Sequence, residues 1–354
     1  MTLRLMELGL VLSVIACPLN SYTEFKVIVA HFGLVFMAIG LVLSQAWTHP
    51  LPLDVPILVY LGVVFLACLL SVNPRISIFP RPRRGDGWLT IATYGATALV
   101  ASRLPLFDRE LLLGFCVVSA ALTSFVALAQ AQGFRWAIRL GGNRPDGAWG
   151  TLGNPSYLAG YLALLIPVAL WHEWDVASVL MVSAAFTAAS RAGLLSLITI
   201  AAGMVWVIPA IFTLPAGVGI VLGAVASQRM FERTPIREAA PDRVWLWGYL
   251  LERIARRPLL GYGPNLLMVN TPDERNTKNT EIHDMAHNGL LEIAVNTGFL
   301  GVAAFAWVWM TAFRHARFDA LAIGLVAYAV WWFFNWETLG PANMAWMFLG
   351  MVST

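Results

Sequence analysis

Apolar residues in this chain run in long, nearly unbroken blocks. They form neither the narrow stripe of a soluble amphipathic helix nor the alternation of a half-buried strand. Blocks near the roughly 20 residues needed to cross a hydrocarbon core fall at about 5–22, 26–46, 53–72, 87–104, 110–130, 155–172, 175–190, 192–208, 210–227, 286–311, 318–335 and 340–353. The pattern predicts an all-α polytopic membrane protein with about twelve transmembrane helices in one bundle. The connections are too short to fold alone, so 1–354 reads as a single transmembrane domain. The first block carries Glu7 and lacks a small-x-small cleavage site, so it reads as a retained span and not a signal peptide.

One connection breaks the pattern. Residues 228–285 hold 17 of the 43 charged residues. Inside them Trp245, Leu246, Tyr249, Leu250 and Ile254 recur at helical spacing, predicting an amphipathic, surface-lying helix over 243–256 between the ninth and tenth spans. Asp242 is its candidate cap, and Gly261 and Gly263 mark the turn that follows.

Composition narrows the class. The chain is 58% hydrophobic and 12% charged, roughly half the charge of a soluble domain, which excludes an ordinary soluble fold and gives no sign of nucleic-acid binding. Cys17, Cys68 and Cys116 lie far apart inside apolar blocks and read as small core residues. Of the 23 basic residues 21 are Arg, and most fall in the loops 73–86, 131–154 and 228–285, which share one face if there are twelve spans. The positive-inside rule puts that face in the cytoplasm, though it weakens for long loops. The other reading is a face that binds an anion, since guanidinium forks match phosphate oxygens.

Four stretches carry candidate chemistry. In GTLGNPSYLAGYLALLIPVAL (150–170), Asn154 and Pro155 form a turn that opens a span. In TAASRAGLLSL (187–197), Arg191 stands alone between apolar runs, as a headgroup anchor or as a functional charge facing a polar cavity. In PDRVWLWGYLLERIARRPLLGYGPN (241–265), Arg243 falls in the first turn of the amphipathic helix, where anions are favoured. In HDMAHNGLLEIAVNTGFLG (283–301), His283 and His287 are four apart, so a helix would place them on one face. Asp284 stands where a zinc-hydrolase motif needs Glu, and no third ligand cluster appears, so no metal site is assigned. Histidine also suits proton transfer near neutral pH. Asn288 can cap the span or bind a substrate hydroxyl, and Gly298 and Gly301 suit close helix packing.

In their order along the chain, these stretches resemble the O-antigen ligase and O-antigen polymerase superfamily, membrane enzymes of C-type glycosyltransferase fold. The likeness is strongest over 150–301, where His287-Asn288 precedes Gly298-Phe299-Leu300-Gly301, and FPRPRRGDGWLTIATYG (79–95) adds a weaker match. The resemblance implies a multi-pass protein of the bacterial inner membrane whose 228–285 loop and active site face the periplasm. It implies a glycan donor linked to undecaprenyl pyrophosphate, and a glycan or lipid-core hydroxyl as acceptor. Neither cofactor nor metal is needed, membrane lipids surround the site, and other polysaccharide-assembly proteins are candidate partners. Carried over, Arg191 and Arg243 match the arginines that hold the pyrophosphate and His287 the histidine beside the reacting hydroxyl. Arg84, Asn154, His283 and Asn288 are the implied substrate-binding residues. Arg139…Gly150 and Arg237…Gly248 repeat an Arg-x10-Gly spacing of some polymerases, which tilts the expectation from ligase towards polymerase. A lipid-linked glycan flippase or transporter, and a non-catalytic scaffold, are the competing classes. No internal repeat of the transporter kind is visible.

Overall fold

The structure is a computed structural model that describes residues 2–14, 23–45, 48–79, 87–141, 148–188, 190–207, 213–231, 240–267, 269–272, 280–283, 285–335 and 338–354. Each of the twelve apolar blocks contains a helix. In chain order they are α1 (Thr2–Val14), α2 (Thr23–Leu43), α3 (Asp54–Leu69), α5 (Trp88–Ala101), α6 (Leu106–Ala131), α8 (Pro155–Trp171), α9 (Asp175–Thr187), α10 (Arg191–Val207), α11 (Thr213–Phe231), α13 (Gly289–His315), α14 (Ala320–Phe333) and α15 (Leu339–Val352). Three further helices lie in the connections: α4 (Pro74–Ile78), α7 (Arg135–Gly141) and α12 (Ala240–Arg256). A short antiparallel pair that the hydropathy pattern did not predict, β1 (Val269–Pro272) with β2 (Thr280–His283), precedes α13.

This is a helical membrane protein. Among the described residues, three helices are long and apolar enough to cross a bilayer by length and composition, over Phe25–Leu43, Leu106–Ala131 and Gly289–His315, and eight more apolar helices are 10–17 residues long. Helix α8 lies at the centre: every residue from Leu158 to Leu170 is buried, as expected of a helix that is apolar all round. It packs on α9, α10, α14 and α15. Polar groups tie other helices together, as between helices in lipid. Thr97 Oγ1 donates to Asn343 Oδ1 at 2.8 Å, and Asn343 Nδ2 to the Ser13 carbonyl at 2.7 Å.

One expectation about the large loop changes, and its amphipathic helix gains a partner. Helix α12 starts at Ala240, so Asp242 lies inside it and is not its cap. Part of its apolar face is covered within the protein, while Val244, Trp245 and Leu251 stay exposed. Leu246, Leu250 and Ile254 are buried against Ala294 and Val295 of α13 and Leu267 of the connecting loop.

Helix α13 is not continuous. Gly298 has φ 65 and ψ −167, a conformation that side chains resist. A Cβ there would also strike the Leu259 carbonyl group. The loop after α12 fills the break. Tyr262 and Gly263 donate N–H to the Val295 and Asn296 carbonyls at 2.9 and 2.8 Å, while Phe299 and Leu300 donate to Pro258 and Leu259 at 2.7 and 3.2 Å. At about 0.5–1.5 kcal/mol net each, these four bonds offset the helical bonds that the break removes. The expected role of Gly298 in close packing is thereby extended: it breaks the helix so that the loop can dock.

Candidate functional site

The first residues of three helices meet at one end of the bundle. Asn154 caps α8, its Oδ1 accepting from the Ser156 N–H at 2.8 Å. Ser190 precedes α10 and accepts from the Gly193 N–H at 3.3 Å. Asn288 caps α13, accepting from the Leu291 N–H at 3.0 Å. The hydroxyls of Ser156 and Ser190 lie 3.4 Å apart, and Ser156 Oγ donates to Oδ1 of Asn335, just past the end of α14, at 3.0 Å. Gly289 opens α13 directly against the Trp332 ring of α14, where a Cβ would overlap the indole. Each helix start carries partial positive charge, so their meeting favours an anion.

The strap leading into α8 is fixed by one side chain. Gln130 Oε1 accepts from the N–H groups of Trp149 and Gly150 at 3.0 and 2.9 Å, and its Nε2 donates to the Ala137 and Gly150 carbonyls at 3.1 and 2.9 Å. The Ala148 N–H donates to the Thr187 carbonyl at 3.3 Å, joining the strap to the end of α9, just ahead of Arg191.

Two cations add to the helix starts. Arg191 is the first residue of α10 and is exposed, while Arg243 is half-buried in the first turn of α12. Burial pushes the Arg243 guanidinium below its ordinary range, and the charge of Arg191 pushes it further the same way. The two residues, 52 apart in sequence, are thus close enough to feel one another. Among the described residues neither forms an ion pair. Two arginines at the opposite end differ. Arg103 makes a bidentate bridge to Asp54 at 2.9 and 2.7 Å, and Arg109 donates to the carbonyls of Leu104, Met351 and Ser102. Those arginines hold the fold, whereas the charges of Arg191 and Arg243 oppose one another.

His287 stands on the turn just ahead of α13. It is half-buried with φ 51, a left-handed conformation uncommon for a non-glycine residue. The turn is attached to the arginine-bearing helix, because Trp247 Nε1 donates to the Ala286 carbonyl at 3.0 Å. Glu292 accepts from the Ala286 N–H at 2.6 Å. His283 and His287 do not share a helix face: His283 ends β2, paired with Val269, and His287 lies in the turn beyond it. Asn288 is buried and committed to its cap. Arg84 lies outside the described residues.

Ser156, Ser190, Asn335, Trp247 and Glu292 did not stand out in the sequence as site residues. The available signals were local: a Ser just ahead of a lone Arg, a polar Asn closing the apolar run of 320–334, and a Glu one turn into a span.

Residues 176–306 match the family model described as O-Antigen ligase, so the chain's resemblance to the O-antigen ligase and polymerase superfamily is borne out over that stretch. The stretch runs from α9 into α13 and includes Arg191, Arg243, His283, His287 and Asn288. No curated protein matches the chain.

Proposed function

We propose that this protein is a glycosyltransferase of the bacterial cytoplasmic membrane, moving a glycan from undecaprenyl pyrophosphate to a sugar hydroxyl on the periplasmic side. The observation that carries this reading is the approach of Arg191 to Arg243 where α8, α10 and α13 begin, with His287 on a turn fastened to α12. In this reading the twelve apolar helices are the spans of one transmembrane domain, and 228–285 is a periplasmic loop.

The chemistry follows from the groups at hand. The acceptor oxygen forms a bond to C1 of the donor sugar as the C1–O bond to phosphate breaks. The electron pair of that bond leaves with the diphosphate, whose growing charge the two guanidiniums stabilise. His287, in its neutral form, takes the proton of the attacking hydroxyl. Attack opposite the leaving group inverts the anomeric centre. Diphosphate leaves readily once its charge is met, so the step uses neither metal nor nucleotide sugar. The lipid tail, lying along the apolar helices, sets the depth of the diphosphate and supplies orientation. Arg84, Asn154, His283 and Asn288 are assigned to substrate binding, Asn154 and Asn288 by holding the helix starts that face the anion.

The favoured acceptor is a second lipid-linked repeat unit, which makes the protein a polysaccharide polymerase. A lipid-core acceptor, which would make it a ligase, is the alternative. Purified protein mixed with lipid-linked glycan, without metal or nucleotide, should lengthen the glycan and release undecaprenyl pyrophosphate. His287→Ala should lower that rate by about 10²–10⁴ if the imidazole is the general base. Glycan that merely crosses a liposome bilayer unchanged would replace the transferase with a flippase.

A further inference from the structure

The residue just ahead of His287 is gripped on both sides. Ala286 is fully buried. Its N–H donates to Glu292 Oε2 at 2.6 Å, and its carbonyl accepts from Trp247 Nε1 at 3.0 Å. The other carboxylate oxygen of Glu292 accepts from Asn296 Nδ2 at 2.9 Å, and the Asn296 carbonyl accepts from Gly263 at the break in α13. The residue after Ala286 is His287, at φ 51. A left-handed non-glycine persists where its surroundings over-determine it, and here both polar groups of the preceding residue are committed.

We infer that Trp247 and Glu292 are positioning residues for the transfer reaction, fixing the backbone of His287 so that its imidazole faces the place where Arg191 and Arg243 hold the diphosphate. Glu292 belongs to α13 itself, but Trp247 comes from α12, which needs no bond to Ala286 for its own capping. Trp247 lies four residues after Arg243, on the same helix face. One turn of α12 therefore sets the spacing between the group that grips the leaving diphosphate and the strap that carries the proton acceptor. This rests on the reading of His287 as the group beside the acceptor hydroxyl.

The test is Trp247→Phe, which keeps an aromatic ring against Leu246 and Leu250 and removes the N–H. Turnover with lipid-linked glycan should fall about tenfold while the donor KM stays within about twofold. In a His287→Ala background the same substitution should change nothing further, since its effect passes through the histidine. Glu292→Gln should show the same background dependence with a smaller fall. An equal fall in both backgrounds would mean general loosening and would overturn the inference, as would unchanged turnover. A second readout is independent of catalysis: modification of His287 by diethylpyrocarbonate, followed by mass spectrometry, should speed up at least about threefold in Trp247→Phe while His49 and His172 react as before. If the wild type transfers no glycan, the proposed function fails by itself, and the labelling rate alone decides the brace, an unchanged His287 rate overturning it.

Discussion

Among the arginines, function is separated from architecture by what each touches. Arg103 and Arg109 have carboxylate and carbonyl partners at one end of the bundle, and Arg191 and Arg243 have each other. The sequence offers Arg191 as an isolated charge and Arg243 as one of several on its helix. Nothing local indicates that they meet, because that depends on the packing of α12. Arg191→Ala should abolish transfer in a protein that still folds, and Arg191→Lys should restore little of it, because a single ammonium cannot replace the fork. Turnover near the wild-type level in Arg191→Ala would remove the diphosphate role. The lowered pKa of Arg243 also carries a sign for stability. A base whose folded pKa is depressed destabilises the fold wherever it is charged, here at all pH values below its folded pKa, including neutrality. Arg243→Gln should therefore leave the empty protein no less stable in thermal unfolding. It should also lose the stabilisation that inorganic pyrophosphate gives the wild type. A clear loss of stability without ligand would mean that Arg243 is structural.

Hydropathy sees helices well because an apolar block in lipid must satisfy its backbone internally. Each of the twelve blocks contains a helix, with described ends mostly within a few residues of the pattern. Hydropathy does not see a break inside a block. The run through 286–311 contains Gly298, and only the docking of 258–263 explains why α13 opens there. For the same reason the spacing of Leu246, Leu250 and Ile254 predicts an amphipathic helix but does not reveal that these residues pack on α13. The i, i+4 histidines mislead in a related way, since periodicity cannot tell that a strand ends at His283. Gly298→Ala should cost roughly 1–3 kcal/mol, from the unfavourable φ and the overlap with Leu259. Thermal unfolding in detergent measures it, and an unchanged midpoint would mean that the break is incidental.

Over the whole molecule, the two ends of the bundle differ in kind. One is closed by Arg103 with Asp54 and by Arg109 on the Met351 carbonyl of α15. The other gathers helix starts, hydroxyls, two repelling guanidiniums and the histidine turn. The account requires this second end to lie outside the cytoplasm, where the positive-inside rule taken alone would not put it. Position 244 on α12 is 70% exposed, close to Arg243 yet outside the proposed chemistry. The most direct measurement is labelling of Val244→Cys, in a background without the native cysteines, by a membrane-impermeant maleimide on intact cells. The account predicts labelling without permeabilisation, while labelling only after the membrane is opened would put the site in the cytoplasm and contradict it.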